Sequence, residues 1–172
     1  MTAFGQPDMS VPLVGYRVLD LTTFLSGPFC TQILADLGAE VVKLESPEGD
    51  AARAIPPHFV GEDSAYFLGI NRNKRSIAID LKSPAGLDLA RRLIDQADVV
   101  VENFRPGVAA KIGLDPAAIH ASNPRLIWAA ISGFGQTGPW REKPAYDMIV
   151  QALSGVMSLT GEPNRPAVRL GI

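Results

Sequence analysis

Short apolar runs alternate with helix-like segments along this chain, and that alternation constrains its fold more than any other feature. Five runs read as strands: Tyr16–Thr22 (YRVLDLT), Glu40–Glu45 (EVVKLE), Ser76–Leu81 (SIAIDL), Asp98–Asn103 (DVVVEN) and Arg125–Ser132 (RLIWAAIS). The unbroken Val99-Val100-Val101 of the fourth run suits a strand buried on both faces. Pro28–Leu37 opens with proline and stops at Gly38, the usual asymmetry of helix ends. Ser83-Pro84 caps a second helix over Ala85–Gln96, where Leu87, Leu89, Ala90, Leu93 and Ile94 form one apolar stripe. A short helix is expected after Asp115-Pro116, and a last one from about Tyr146 to Met157. Such an order predicts an α/β fold with a doubly wound, mostly parallel sheet. Ser46–Arg72, broken by Pro47, Gly49, Pro56, Pro57 and Gly61, reads as a long loop over that sheet.

Length and charge then narrow the function. The 172 residues suffice for one domain, taken as 15–172 behind a lead-in over 1–14. Sixteen Lys plus Arg against eighteen Asp plus Glu leave a net charge of −2, which offers no footprint for nucleic acid or an anionic membrane. The single cysteine, Cys30, excludes an intrachain disulfide framework, and two isolated histidines, His58 and His120, argue against zinc. No run approaches the ~18 apolar residues of a membrane span. Met1–Ser10 does not read as a secretory leader, so the cytoplasm is the expected compartment. The C-terminal run Ala167–Ile172 is apolar and uncapped, like a strand entering a further unit, so the chain reads as part of a longer one.

Each chemically suggestive residue has a plainer reading. Gly133-Phe-Gly135-Gln-Thr-Gly138 spells a dinucleotide phosphate loop, but Pro139 and Pro144 follow and no acidic residue closes a second strand. A glycine turn shaping another site is the preferred reading. Asn73-Lys74-Arg75 reads as a solvated strand entry. Asn103-Phe104-Arg105 follows the Val-rich strand, at the end where open α/β sheets bind ligands. Asp147 suits a helix start, and Asp20 beside Thr22 and Thr23 reads as a buried, hydrogen-bonded carboxylate. Cys30 reads as packing and His120 as surface. His58 sits in the proline-rich loop, with nothing nearby to point it at a ligand.

In order, the segments carry a much more specific signal. They are Val18-Leu-Asp-Leu-Thr22, Gly27-Pro28, Leu37–Glu45, Gly49-Asp50, Asn73–Ser76, Val101–Gly107, Asn123–Leu126, Ser132–Pro139, Tyr146-Asp147 and Gln151–Gly155. This series closely resembles the class III coenzyme A-transferases, the family of formyl-CoA transferase, carnitine CoA-transferase and α-methylacyl-CoA racemase. The resemblance covers about Gly15 to Ile172 and implies the N-terminal part of a large Rossmann-like domain. It implies acyl-CoA and a carboxylic acid as substrates, no permanently bound cofactor, and an interlocked homodimer.

The family's nucleophilic aspartate is expected a few residues beyond the segment matching Arg165–Gly171, past Ile172. No catalytic residue is therefore assigned here, and this stretch alone is expected to be inactive. The resemblance places Leu25, Ser26, Asp80, Leu81, Lys82, Asn103, Phe104, Arg105, Lys111, Ala145, Tyr146 and Asp147 at the CoA site. Leu25, Ile55 and Ser46 replace a glutamine, a gating tryptophan and an arginine of the formyl-CoA branch, although Tyr66 agrees with it. Tyr146 stands where the racemase branch has its catalytic histidine, which argues against racemisation. A non-catalytic CoA-binding or interaction module is the alternative reading, with a 2-methylacyl-CoA racemase-branch member ranked behind it.

Overall fold

In the computed structural model, which describes residues 11–171, the chain forms two compact units, Met1–Ile131 and Ser132–Ile172. The first ten residues of the expected lead-in, and Ile172, lie outside the described residues.

The first unit is built on β1 (Arg17–Asp20), β2 (Glu40–Glu45), β5 (Lys74–Ala78), β6 (Val99–Glu102) and β7 (Ile127–Ala130). These five strands form a parallel sheet in the order β5-β2-β1-β6-β7. The register sets Val18 against Val41 and Val99, and Val99 against Ile127. Two short strands, β3 (Phe59–Val60) and β4 (Asp63–Ser64), make a separate antiparallel hairpin. The helices of this unit are α1 (Ser26–Asp36), α2 (Ala65–Asn71), α3 (Pro84–Ile94), α4 (Val108–Lys111) and α5 (Pro116–Ser122). The second unit holds α6 (Asp147–Leu153) and a 3₁₀ turn over Val156–Leu159.

Strand side chains alternate between two cores, as a sheet covered on both faces requires. Val18, Val41 and Val101 pack with Ala35 and Leu34 of α1. Leu19, Leu44 and Val100 pack on the opposite face with Ala90 and Ile94 of α3 and with Leu114. The doubly wound α/β expectation therefore holds.

Two expectations need correcting. Ser46–Arg72 is not one irregular loop: it contains a 3₁₀ turn at Ala51–Ala54, the β3–β4 hairpin and α2. Their signals are caps rather than periodicity, since Asp50 accepts from the Ala52 amide and Ser64 from the Phe67 amide. Lys74 is not a solvated entry residue either. Its strand starts at Lys74 rather than Ser76, in register with Val41, and its side chain is 2% exposed. The four-residue α4 has no counterpart in the sequence reading.

Gly86 shows how tightly a crossover is seated. Ser83 caps α3 by accepting from the Gly86 amide at 3.1 Å, and a Cβ on Gly86 would run into the Asp80 carbonyl oxygen. Gly86→Ala is expected to destabilise the chain by about 1–2 kcal/mol, since backbone there must shift. A urea midpoint equal to wild type would contradict this.

Candidate functional site

The strand order places a crevice by itself. The chain builds outward from β1 through β2 to β5, then crosses back to β6 on the other side of β1. At such a reversal the neighbouring loops leave in opposite directions, opening a space beyond the carboxyl ends of the strands. A cleft of about 340 Å³ lies there, lined by Leu21–Thr23 after β1, Ser46–Asp50 after β2, Ile79–Lys82 after β5 and Phe104 after β6. A smaller cleft of about 240 Å³ at the opposite strand ends is lined by Arg17, Glu40, Leu93 and Gln96. It has none of the loops that follow the strands.

The cleft loops rest on ionic groups buried under the α1 face of the sheet. Asp20 is fully buried. One carboxylate oxygen accepts from the Thr22 amide (2.9 Å) and hydroxyl (2.5 Å), and the other from Thr31 Oγ1 (2.6 Å) and Lys74 Nζ (2.9 Å). Thr23, expected beside it, bonds elsewhere. Lys74 also donates to the Pro28 carbonyl and Asn71 Oδ1, both at 2.8 Å, joining β1, α1 and α2. Burial lowers the Lys74 ammonium pKa, and Asp20 offsets this only in part.

Lys43 carries a second node. Its Nζ donates to the Thr22 carbonyl at 2.6 Å and lies 3.0 Å from Asp50 Oδ2, with both side chains fully buried. Asp50 Oδ1 accepts from the amides of Ala52 (2.9 Å) and Phe24 (3.3 Å), and the Asp50 amide donates to Glu45 Oε2 at 2.8 Å.

Glu45 completes the chain of charges. Burial opposes its ionisation, but paired bonds from Arg53 (2.8 and 2.6 Å), one from Ser76 (2.5 Å) and the Asp50 amide outweigh it. Its pKa falls to about 2. Arg53 also pairs with Asp63 at 2.7 Å and lies over the Phe67 ring at 3.8 Å.

Asp80, Leu81, Lys82 and Phe104 come from two different loops into the one cleft. Asp80 Oδ1 accepts from the Lys82 amide at 2.9 Å, which shapes the turn after β5. Leu25 is the half-buried residue preceding α1 and supplies no side-chain cap, and Ser26 is the exposed first residue of that helix. The Asn103 side chain faces the β1 loop: Oδ1 accepts from the Thr23 amide at 2.9 Å and Nδ2 donates to its carbonyl at 2.8 Å. Arg105 is exposed in the loop after β6, and Lys111 is exposed at the end of α4.

Ala145, Tyr146 and Asp147 belong to the second unit. There Ala145 abuts Gly133, Tyr146 is exposed, and Asp147 opens α6 and accepts from Gln151 Nε2 at 2.7 Å.

The sequence reading overlooked Lys43, Asp50 and Thr23 as parts of this site. The Gly49-Asp50 pair was visible as a motif, but only the fold shows Asp50 turned onto Lys43. Glu102 was also overlooked. Burial pushes its carboxyl up, partly offset by the Phe104 amide at 2.7 Å. Gly133–Gly138 opens no helix, because α6 begins only at Asp147, and Phe134 and Trp140 pack edge to face at 5.4 Å around it. It is a turn and lacks the helix that a phosphate loop requires. His58 and His120 are exposed. Among the described residues no cluster of His, Cys, Asp and Glu could hold a metal ion, and no helix is long and apolar enough to cross a membrane.

Comparison with known proteins gives concordant results. Residues 13–172 match the model of CoA-transferase family III. The chain is 49% identical over 173 residues to a succinate–glutarate CoA-transferase of Agrobacterium fabrum, covering 96% of this chain and 43% of that protein. It is 48% identical over 161 residues to an acetyl-CoA:oxalate CoA-transferase of Acetobacter aceti, covering 93% and 41%. The crystal structure of a CAIB/BAIF family protein from Brucella suis superposes with a TM-score of 0.90 at 46% identity, covering 95% of this chain and 44% of that one. The chain thus spans less than half the length of each.

Proposed function

The chain belongs to CoA-transferase family III, and from that premise we propose that it supplies a CoA-binding part of an enzyme that moves CoA between carboxylic acids. The observation that carries this reading is the cleft at the sheet reversal, which gathers Asp80, Leu81, Lys82 and Phe104 from loops after two separate strands. Their chemistry suits the nucleotide end of CoA. Leu81 and Phe104 offer apolar and aromatic surface for a planar base, while Lys82 and the nearby Arg105 supply cations for phosphate.

In the reaction that the resemblance implies, a carboxylate oxygen attacks the thioester carbonyl, the C–S bond breaks and CoA leaves as thiolate. The thiolate then attacks the resulting anhydride at the enzyme's own carbonyl, forming an enzyme thioester and releasing the donor's acid. The acceptor acid reverses these steps. The residues of this chain bind and orient CoA, and the attacking carboxylate is not among them. We place the protein in the cytoplasm as a homodimer and expect no transfer activity from these residues alone. Likeness to both a succinate–glutarate and an oxalate enzyme keeps the substrate class at carboxylic acids. The replacements at Leu25 and Ile55 weigh against a formate or oxalate specialist.

Titration calorimetry with CoA and, separately, NAD tests this reading. CoA is expected to bind and NAD not. Lys82→Ala is expected to weaken CoA about tenfold, the worth of one charge-assisted contact. Binding of NAD without CoA would overturn the proposal in favour of a dinucleotide domain.

A further inference from the structure

The loop after β1 has an unusual property: an unbroken run of its main-chain polar groups is held by side chains. The Thr22 amide donates to Asp20, and the Thr22 carbonyl accepts from Lys43. Both polar groups of the Thr23 main chain bond to Asn103, and the Phe24 amide donates to Asp50. These five groups are taken by four side chains from β1, β2 and the loops after β2 and β6. Phe24, moreover, has φ +63°, a left-handed conformation that a bulky side chain rarely adopts. Such a backbone persists only where the surroundings over-determine it, and that strain clusters at ligand sites.

Asn103 is the informative member. The resemblance implies that it touches CoA, yet its amide group is turned onto Thr23 from across the β1–β6 reversal. The Lys43 and Asp50 side chains brace the same loop from the β2 side and are fully buried, so these charged groups act on a ligand through the backbone they hold. We infer that Asn103, together with the Lys43–Asp50 pair, is a positioning residue. It holds Thr22–Phe24 in the binding conformation before CoA arrives, so that binding does not have to order the loop. This rests on the CoA-binding reading given above.

The test compares wild type with Asn103→Ser and Asn103→Asp, by amide hydrogen exchange and by CoA titration. Asn103→Ser removes both bonds to Thr23, whereas Asn103→Asp keeps the acceptor for its amide and loses the donor to its carbonyl. In the ligand-free protein, Thr23 and Phe24 are expected to exchange at least tenfold faster in Asn103→Ser, with Asn103→Asp between it and wild type. The urea midpoint should move little, because Asn103 lies in the loop after β6 and is only half-buried. CoA affinity is expected to fall about tenfold in Asn103→Ser, with saturating CoA restoring the lost protection.

Unchanged exchange alongside weaker CoA binding would mean direct contact and overturn the positioning role. Unchanged exchange and unchanged affinity would overturn it as well. Should wild type bind no CoA, the functional proposal fails, while exchange in the free protein still decides whether Asn103 braces the loop.

Discussion

Asp50→Ala is expected to cost on the order of 3–5 kcal/mol of folding stability, because it leaves the Lys43 ammonium buried and uncompensated. Lys43 has no route to solvent: its side chain is 0% exposed, and its remaining partner is the Thr22 carbonyl. The substitution also removes the acceptor for the Phe24 and Ala52 amides, so the loop after β1 and the 3₁₀ turn both lose an anchor. A domain with a net stability of roughly 5–15 kcal/mol would be left near its threshold. The urea midpoint should fall accordingly. The double variant Lys43→Met/Asp50→Leu is expected to recover most of that loss, since replacing both charges with apolar groups removes two desolvation penalties together. Recovery of stability without recovery of CoA binding would show that the pair is kept for the loop it shapes. If Asp50→Ala melts like wild type, Lys43 must find another partner and the buried pair is not what holds these loops.

The strands could be read because burial on both faces leaves a plain mark in sequence. The β2 range Glu40–Glu45 agrees with expectation residue for residue, and Val99-Val100-Val101 lies within β6. Alternation and the caps at Ser83 and Asp115 placed α3 and α5 within a residue or two. The segment between β2 and β5 was opaque for a physical reason. Its order comes from Arg53 reaching Glu45 and Asp63, and from Ser64 donating to the Ala52 carbonyl at 2.6 Å, contacts that leave no periodicity. Lys74 misled for a related reason. A lysine between an asparagine and an arginine has the composition of a solvated turn, and only its register beside Val41 brings it to Asp20. Resemblance supplied Asp80, Leu81, Lys82 and Phe104 as residues of one site, and the fold gathers them in one cleft. It did not reveal that Lys43 and Asp50 lie beneath it, because buried charge pairs are invisible until both partners are placed.

Glu45→Gln is expected to flatten the acid limb of the stability profile, and the pH window in which it does so follows from the shift itself. The folded chain holds this carboxyl at about 2, against 4.5 for the free group. A carboxyl depressed on folding adds stability that is fully present above its unfolded value. That contribution disappears as pH falls through the folded value, where both states are protonated. Wild type therefore draws roughly 2–3 kcal/mol from Glu45 above about pH 4.5 and loses it progressively toward pH 2. The variant lacks this term throughout, so the difference between the two should be largest near neutrality and shrink with acid. Urea midpoints measured from pH 7 down to 2.5 would show it, and a constant difference across that range would mean Glu45 is not the ionised anchor of Arg53. The consequence reaches the cleft, because Glu45 also receives the Asp50 amide, and Asp50 in turn holds the Phe24 amide. Protonating one carboxyl at the end of β2 thus loosens a relay of hydrogen bonds ending at the loop after β1. Because the folded carboxyl takes up its proton only near pH 2, this relay stays closed from pH 7 to about 3, and over that range the pH dependence of CoA affinity should be the same in wild type and Glu45→Gln.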